Sequence, residues 1–291
     1  MNIEGIIIRQ ISGFYDVLYD NIVIQCKARG IFRKEKITPM VGDRVIIDRN
    51  EKVIISILKR KNQFRRPTVS NIDHLGIVIA ARDPLPDHLF IDKLIISALI
   101  NDIKPSLIIN KVDLAAQNEI DKLENEYSKT SYDIFKISCK KKTGIEDIKE
   151  SFGGGIVAFA GQSGVGKSSL LNLLCSNINL DVGDLSVRTA TGKHTTTHSQ
   201  IIPLPTGAML IDTPGFNSID VDDIMPRKLE CYYSEFVPFM GQCRFNDCLH
   251  DFEPDCVVKK AVSDENISSA RYERYLSILR SLKDEKGRNI R

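Results

Sequence analysis

The sequence predicts a multidomain α/β protein: a small β-barrel, then a doubly wound sheet, then a mostly helical unit. Three observations carry that class. Residues 3–58 hold five short β-type runs, "GIIIRQ", "FYDVLY", "NIVIQCKARG", "VGDRVIID" and "KVIISIL", broken by Gly, Pro and Asp-Asn. From about residue 72, continuous apolar runs alternate with segments of helical spacing, the rhythm of a buried parallel sheet. After residue 218 the strand-like runs stop, and three of the seven cysteines fall between 243 and 256.

The first unit has the strand count of an oligonucleotide-binding (OB) barrel. The basic stretch "KRKNQFRR" at 59–66 closes it. Residues 1–68 carry a formal charge of +7 and the rest of the chain −5, so a basic head precedes an acidic body. That asymmetry suggests a polyanionic partner such as RNA, against the plainer reading of a solvated lysine-rich surface. Phe64, among these cations, is placed either to stack on a base or to tuck against its own domain.

In the second unit, "HLGIVIAA" (74–81) and "PSLIIN" (105–110) read as buried strands, with helices over "HLFIDKLIISALIND" and "NEIDKLENEYSK". "FKIS" (135–138), "GIVAFAG" (155–161) and "GAMLIDTPG" (207–215) continue the sheet. At 291 residues, with 42% hydrophobic and 27% charged residues, the chain has room for several cores. Its apolar runs fall short of the roughly 18 residues of a membrane span, and its odd number of cysteines, four of them scattered (Cys26, Cys139, Cys175 and Cys231), suits a reducing compartment; a cytoplasmic location without membrane contact is expected.

"GQSGVGKS", after one of these strands and before the helix-like "SLLNLLC", fits the phosphate-loop pattern G-x-x-x-x-G-K-[ST]. Gly161, Gly164 and Gly166 let the backbone wrap phosphate oxygens, with Gln162, Ser163, Val165 and Ser169 completing the cradle. Lys167 is expected to reach the β and γ phosphates and Ser168 to ligate Mg²⁺. Asp212 of "DTPG" ends a strand and is expected to hold the metal through water, while the Gly215 N–H meets the γ-phosphate.

"NKVD" (110–113) selects the base. The Asp113 carboxylate only accepts, so it matches the N1–H and N2–H₂ donors of guanine and mismatches adenine. Asn110 tethers the loop, the Lys111 stem covers the base, and "SCK" (Ser138, Cys139, Lys140) offers N–H groups to the guanine oxygen. The order is unusual, because the base-reading motif precedes the phosphate loop by about fifty residues. Such a permutation survives when the old chain ends lie close together.

"VGDLSVRTATGKHTTTHSQ" (182–200) has the composition of a switch that orders on the γ-phosphate, with Thr196, or else Thr195, on Mg²⁺. Phe216 follows DTPG and cannot orient an attacking water. His194 is the preferred candidate for that task, ahead of His198 and Arg188.

"CRFNDCLHDFEPDC" sets Cys243, Cys248, His250 and Cys256 as a closed four-ligand set, which suits one structural Zn²⁺, with Cys231 as a substitute ligand.

In sum the motifs predict an OB-type barrel over 1–68, a circularly permuted P-loop GTPase domain over 69–217 and a mostly helical zinc-binding domain over 218–291. NKVD and SCK before GQSGVGKS, then GKHTTTH, DTPGF and C-x₄-C-x-H-x₅-C, behind a barrel containing "VGDRV", resemble the ribosome small subunit-dependent GTPase A family of circularly permuted bacterial GTPases. The resemblance implies a hydrolase that converts GTP to GDP, is stimulated by the small ribosomal subunit, acts late in that subunit's assembly and contacts its rRNA. It implies a catalytic role for His194. A monomer is expected. The competing reading is a GTP-regulated RNA-binding module in translation whose hydrolysis is dispensable.

Overall fold

The computed structural model describes residues 1–34, 37–65, 67–175, 199–212, 221 and 224–289. The N-terminal unit comprises β1 (Asn2–Ile11), β2 (Phe14–Tyr19), β3 (Ile22–Ala28), the short helix α1 (Ile31–Lys34), β4 (Arg44–Asp48) and β5 (Val53–Ile57). β1 pairs antiparallel with both β2 and β4, and β3 pairs parallel with β5, so the order β1-β2-β3-β5-β4 closes on itself. The β2–β3 hairpin turns on Asp20 and Asn21, both at positive φ, the two-residue turn that matches strand twist. A register shift between Ile7 and Arg9 lets the consecutive Ile7 and Ile8 both be buried, and β1 goes on pairing with β2 through Ile11.

The basic stretch after the barrel contains structure that its charges concealed. β6 (Gln63–Arg65) and β7 (Thr68–Ser70) form a hairpin around Pro67. Buried Asp43 fastens it to the barrel, accepting from Arg60 Nε at 2.7 Å and Ser70 Oγ at 2.6 Å. Phe64 packs against the hydrophobic core, the second of its two sequence readings.

The central sheet runs through β8 (His74–Ala80), α2 (His88–Ile100), β9 (Lys104–Asn110), α3 (Gln117–Tyr127), β10 (Asp133–Lys136), α4 (Ile145–Ser151), β11 (Ile156–Ala160), α5 (Lys167–Cys175), β12 (Gln200–Pro203) and β13 (Met209–Asp212). Its order is β10-β9-β8-β11-β13-β12, parallel except for β12. Period-2 alternation sends Ile77, Ile79, Leu107 and Ile109 to the core with α2 and α3, and Val78, Ala80 and Ile108 to the core with α4 and α5. Both faces are covered, which is why these strands read as unbroken apolar runs. β12 was hidden in the sequence at the end of the polar segment. It joins the two units, because Gln200 pairs with Arg9 of β1.

The C-terminal unit has 3-10 segments at Pro226–Tyr232 and Val237–Phe239, then α6 (Val257–Ser263) and α7 (Ser269–Asn289). Among the described residues it contains no strand. Leu229, Tyr233, Phe236, Tyr275, Ile278 and Leu279 share one core with Ile96 of α2. At the edge of that core Arg271, 1% exposed, pairs with Glu235 and with Asp92 of α2 at 2.5 Å. Tyr127 and Tyr233 rings cover its guanidinium at 5.2 and 5.0 Å. Arg274 also reaches Asp92, at 2.6 Å. Burial works against the Arg271 charge, but the Asp92 and Glu235 carboxylates outweigh it and hold its pKa above the ordinary value.

Removing one member of a buried charge cluster strands the others, at a cost of about 3–5 kcal/mol. Arg271→Met should therefore lower the opening free energy of α7 by about that amount, read by amide hydrogen exchange. Replacing Asp92 and Glu235 with leucine in the same chain should recover much of the loss.

Candidate nucleotide site and metal centre

The loops after β8, β9, β10 and β11 meet at the carboxyl edge of the sheet, where doubly wound folds bind ligands. Register explains the meeting, since Ala80 of β8 lies beside Asn110 of β9 and β11 pairs with β8 on the other side. Asn110 is 1% exposed and uses both ends of its carboxamide. Nδ2 donates to Val165 O at 2.8 Å, and Oδ1 accepts from the Cys139 N–H at 3.1 Å. One side chain thereby joins the NKVD, SCK and GQSGVGKS loops.

Gly166 must be glycine for this contact. A Cβ there would lie 2.2 Å from Asn110 Nδ2, and φ is +103°. Gly161 is equally constrained, because a Cβ would meet Val78 O at 2.1 Å.

The Asp113 carboxylate accepts from Ser138 Oγ at 2.6 Å. That hydrogen bond, ahead of the cations Lys141 and Lys140, holds the carboxyl below its usual pKa. Ser138 Oγ also accepts from the Lys141 N–H at 3.0 Å, so the SCK turn orients the Asp113 carboxylate. Lys111 adopts a left-handed backbone conformation and sends Nζ to Asp83 O.

Lys167 Nζ donates to Gly161 O at 2.6 Å and to Gln162 O at 2.8 Å, inside the loop it belongs to. Burial lowers its pKa. Ser168 and Ser169 are exposed in the first turn of α5, with Ser163 and Gly164 exposed just before it. Asp212 ends β13, and burial raises its pKa. His194, Thr196 and Gly215, with the lesser candidates Arg188, Thr195 and His198 and the neighbouring Phe216, lie outside the described residues.

A cavity of about 490 Å³ is lined by Asn110, Lys111, Asp113, Cys139, Lys140, Gly166 and Ser169. Leu114, Asn172 and Leu173 also line it and were missed in the sequence, although Asn172 and Leu173 follow Ser169 at helical spacing. A larger cavity, about 850 Å³, opens at the opposite edge of the sheet around Lys61, His74 and Lys104, away from every motif. The loop after β8 was missed too. Besides receiving Lys111, it donates the Asp87 N–H to Gln162 Oε1 at 3.0 Å.

In the C-terminal unit, the ligand atoms of Cys243, Cys248, His250 and Cys256 lie within 4.8 Å of one another. His250 Nδ1 is 3.7, 3.4 and 3.3 Å from the sulfurs of Cys243, Cys248 and Cys256, and Cys243 Sγ is 3.8 Å from Cys256 Sγ. A tetrahedral zinc site with bonds of about 2.0–2.3 Å has edges of about 3.3–3.8 Å. The residues fit a metal of that kind, and the sulfurs are too far apart for a disulfide. Burial raises the Cys248 and Cys256 thiols, a cost that a cation among them reverses.

The family profile described as "RsgA GTPase" matches residues 57–222, and that of the "RsgA N-terminal domain" matches 4–53. The chain belongs to the RsgA GTPase family. A "Small ribosomal subunit biogenesis GTPase RsgA" from Caldanaerobacter subterraneus subsp. tengcongensis is 43% identical, covering 99% of both chains. A protein of the same name from Ruminiclostridium cellulolyticum is 41% identical over 96% of this chain and 94% of its own. Among solved structures, YjeQ from Thermotoga maritima superposes with a TM-score of 0.84 at 36% identity, covering 97% of this chain and 99% of that one. YloQ, described as a circularly permuted GTPase, gives 0.83 at 34% identity, covering 98% and 96%. The RsgA family assignment agrees with the sheet, whose phosphate-loop strand β11 sits between the earlier β8 and the later β13. No helix among the described residues is long and apolar enough to cross a membrane.

Asn110→Ala removes two bonds and leaves Val165 O and the Cys139 N–H without that partner. The central domain should lose about 1–3 kcal/mol in urea unfolding, with guanine-nucleotide affinity falling in parallel.

Proposed function

We propose that this chain hydrolyses GTP in the biogenesis of the small ribosomal subunit. The observation that carries the reading is the Asn110 carboxamide, which holds a guanine-type loop and a phosphate-type loop at one end of one cavity. The names borne by the full-length relatives support the cellular role.

In this reading Asp113, oriented by Ser138, accepts from guanine N1–H and N2–H₂, and Lys111 covers the base. Backbone groups of Ser138, Cys139 and Lys140 meet the guanine oxygen. Residues Gly161 to Ser169 cradle the phosphates, and Lys167 exchanges its two loop carbonyls for phosphate oxygens. Mg²⁺ is held by Ser168, Thr196 and, through water, Asp212, while Gly215 meets the γ-phosphate. His194 orients the attacking water, since Phe216 has no polar group to do so. Cys243, Cys248, His250 and Cys256 hold one structural Zn²⁺. The basic barrel faces rRNA, and the protein acts as a cytoplasmic monomer.

A GTPase that lacks a glutamine after DTPG should turn over slowly alone, at about 10⁻⁴ to 10⁻³ s⁻¹, and small subunits should raise the rate by orders of magnitude. His194→Ala should bind GTP and show no such rise. Equal turnover with and without subunits would overturn the partner assignment.

Asp113→Asn replaces an acceptor with a donor opposite position 2 of the base. GTP affinity should fall by at least about a hundredfold and xanthosine triphosphate, with a 2-oxo group, should bind in its place. Competition binding of the two nucleotides measures both changes.

A further inference from the structure

His250 has a second ring nitrogen, and the structure gives it a partner. Nδ1 points at the three sulfurs, while Nε2 lies 2.7 Å from Glu230 Oε2. Glu230 is not part of the ligand segment; it belongs to the 3-10 segment Pro226–Tyr232. The imidazole, 2% exposed, is confined on other sides as well. The edge-on Phe236 ring lies 6.0 Å away, Tyr272 Oη donates to His250 O at 2.6 Å, and Tyr275 Oη donates to Leu249 O at 3.0 Å.

An ionised carboxylate only accepts, so the nitrogen facing it must carry the proton. That leaves the Nδ1 lone pair directed at the sulfurs, the tautomer a metal needs. The backbone at His250 is left-handed, φ +59°, which fixes the ring from the chain side while Glu230 fixes it from outside. We propose that Glu230 is the positioning residue of the Cys₃His metal centre, holding His250 as the Nε2–H tautomer and tying segment 226–232 to the occupied site. Outer carboxylate partners of metal-bound histidines typically govern affinity by about 10–100-fold.

Leu229, beside Glu230, lies in the core shared with Ile96 of α2. Loading the centre therefore secures a segment that also packs on the nucleotide-binding domain.

The inference rests on reading the cluster as a zinc centre, and metal analysis of the purified wild-type chain tests that reading separately. With zinc alone as the probe, chelator competition on the full chain should show about 10–100-fold weaker binding in Glu230→Ala. Glu230→Gln keeps an acceptor for Nε2–H and should recover most of the affinity. In zinc-loaded wild type, ¹⁵N correlation spectra should place the His250 proton on Nε2, a readout independent of how any variant folds. Amides of residues 229–232 should gain exchange protection on zinc loading in wild type, and lose that dependence in Glu230→Ala. Unchanged zinc affinity in Glu230→Ala, or a proton on Nδ1 in the loaded wild type, would overturn it.

Discussion

One buried carboxamide, that of Asn110, ties together the loops of the candidate nucleotide site. Asn110 comes from the half of the sheet that precedes the GQSGVGKS loop in sequence, and it bonds to Val165 within that loop. In a permuted chain these parts are joined by a different covalent link, so their alignment rests on contacts across the sheet edge. Asn110 supplies two such contacts at the point where the NKVD, SCK and GQSGVGKS loops meet. Gly166 then has no choice of side chain, and Ser138 reaches Asp113 because the SCK turn is pinned at Cys139.

A second constraint acts between units. Arg271 is too deeply buried to exist without its carboxylates, and one of those, Asp92, belongs to α2 of the nucleotide-binding domain. Any displacement of the C-terminal unit must either carry α2 along or separate a charge cluster worth several kcal/mol. Asp87, which caps the N-terminus of α2, donates its N–H to Gln162 of the GQSGVGKS loop. The geometry thus puts α2, rather than the covalent link alone, between the GQSGVGKS loop and the unit that carries the Cys₃His cluster.

The legible part of the molecule was local. The phosphate loop, NKVD and the cysteine array are short patterns whose chemistry depends on spacing within a few residues, and the strands around them advertise burial through unbroken apolar runs. What stayed hidden was long-range or weakly patterned. β12 is four residues long at the end of a polar segment, and the β6–β7 hairpin lies among cations that dominate the composition. Asp92 and Arg271 are 179 residues apart and look like ordinary surface charges on amphipathic helices. Glu230 stands 20 residues from His250, and no periodicity links a carboxylate to the far side of an imidazole. The loop after β8 carries no motif at all and works through its backbone.

The Asp92 pairing also bears on how far the three units are modules. The units are distinct in topology but share cores, Ile3 and Val45 of the barrel with Ile77 and Leu107 of the central sheet, and Ile96 of α2 with the C-terminal residues. A scheme of interchangeable parts would nevertheless cut the chain after the nucleotide-binding domain. Such a cut would leave that domain with a carboxylate 1% exposed in the intact chain and deprived of both guanidinium partners. A portable version of the domain would need position 92 changed as well. The C-terminal unit is in this sense a counterion as much as an appendage, and the chain's domains are separable in outline only.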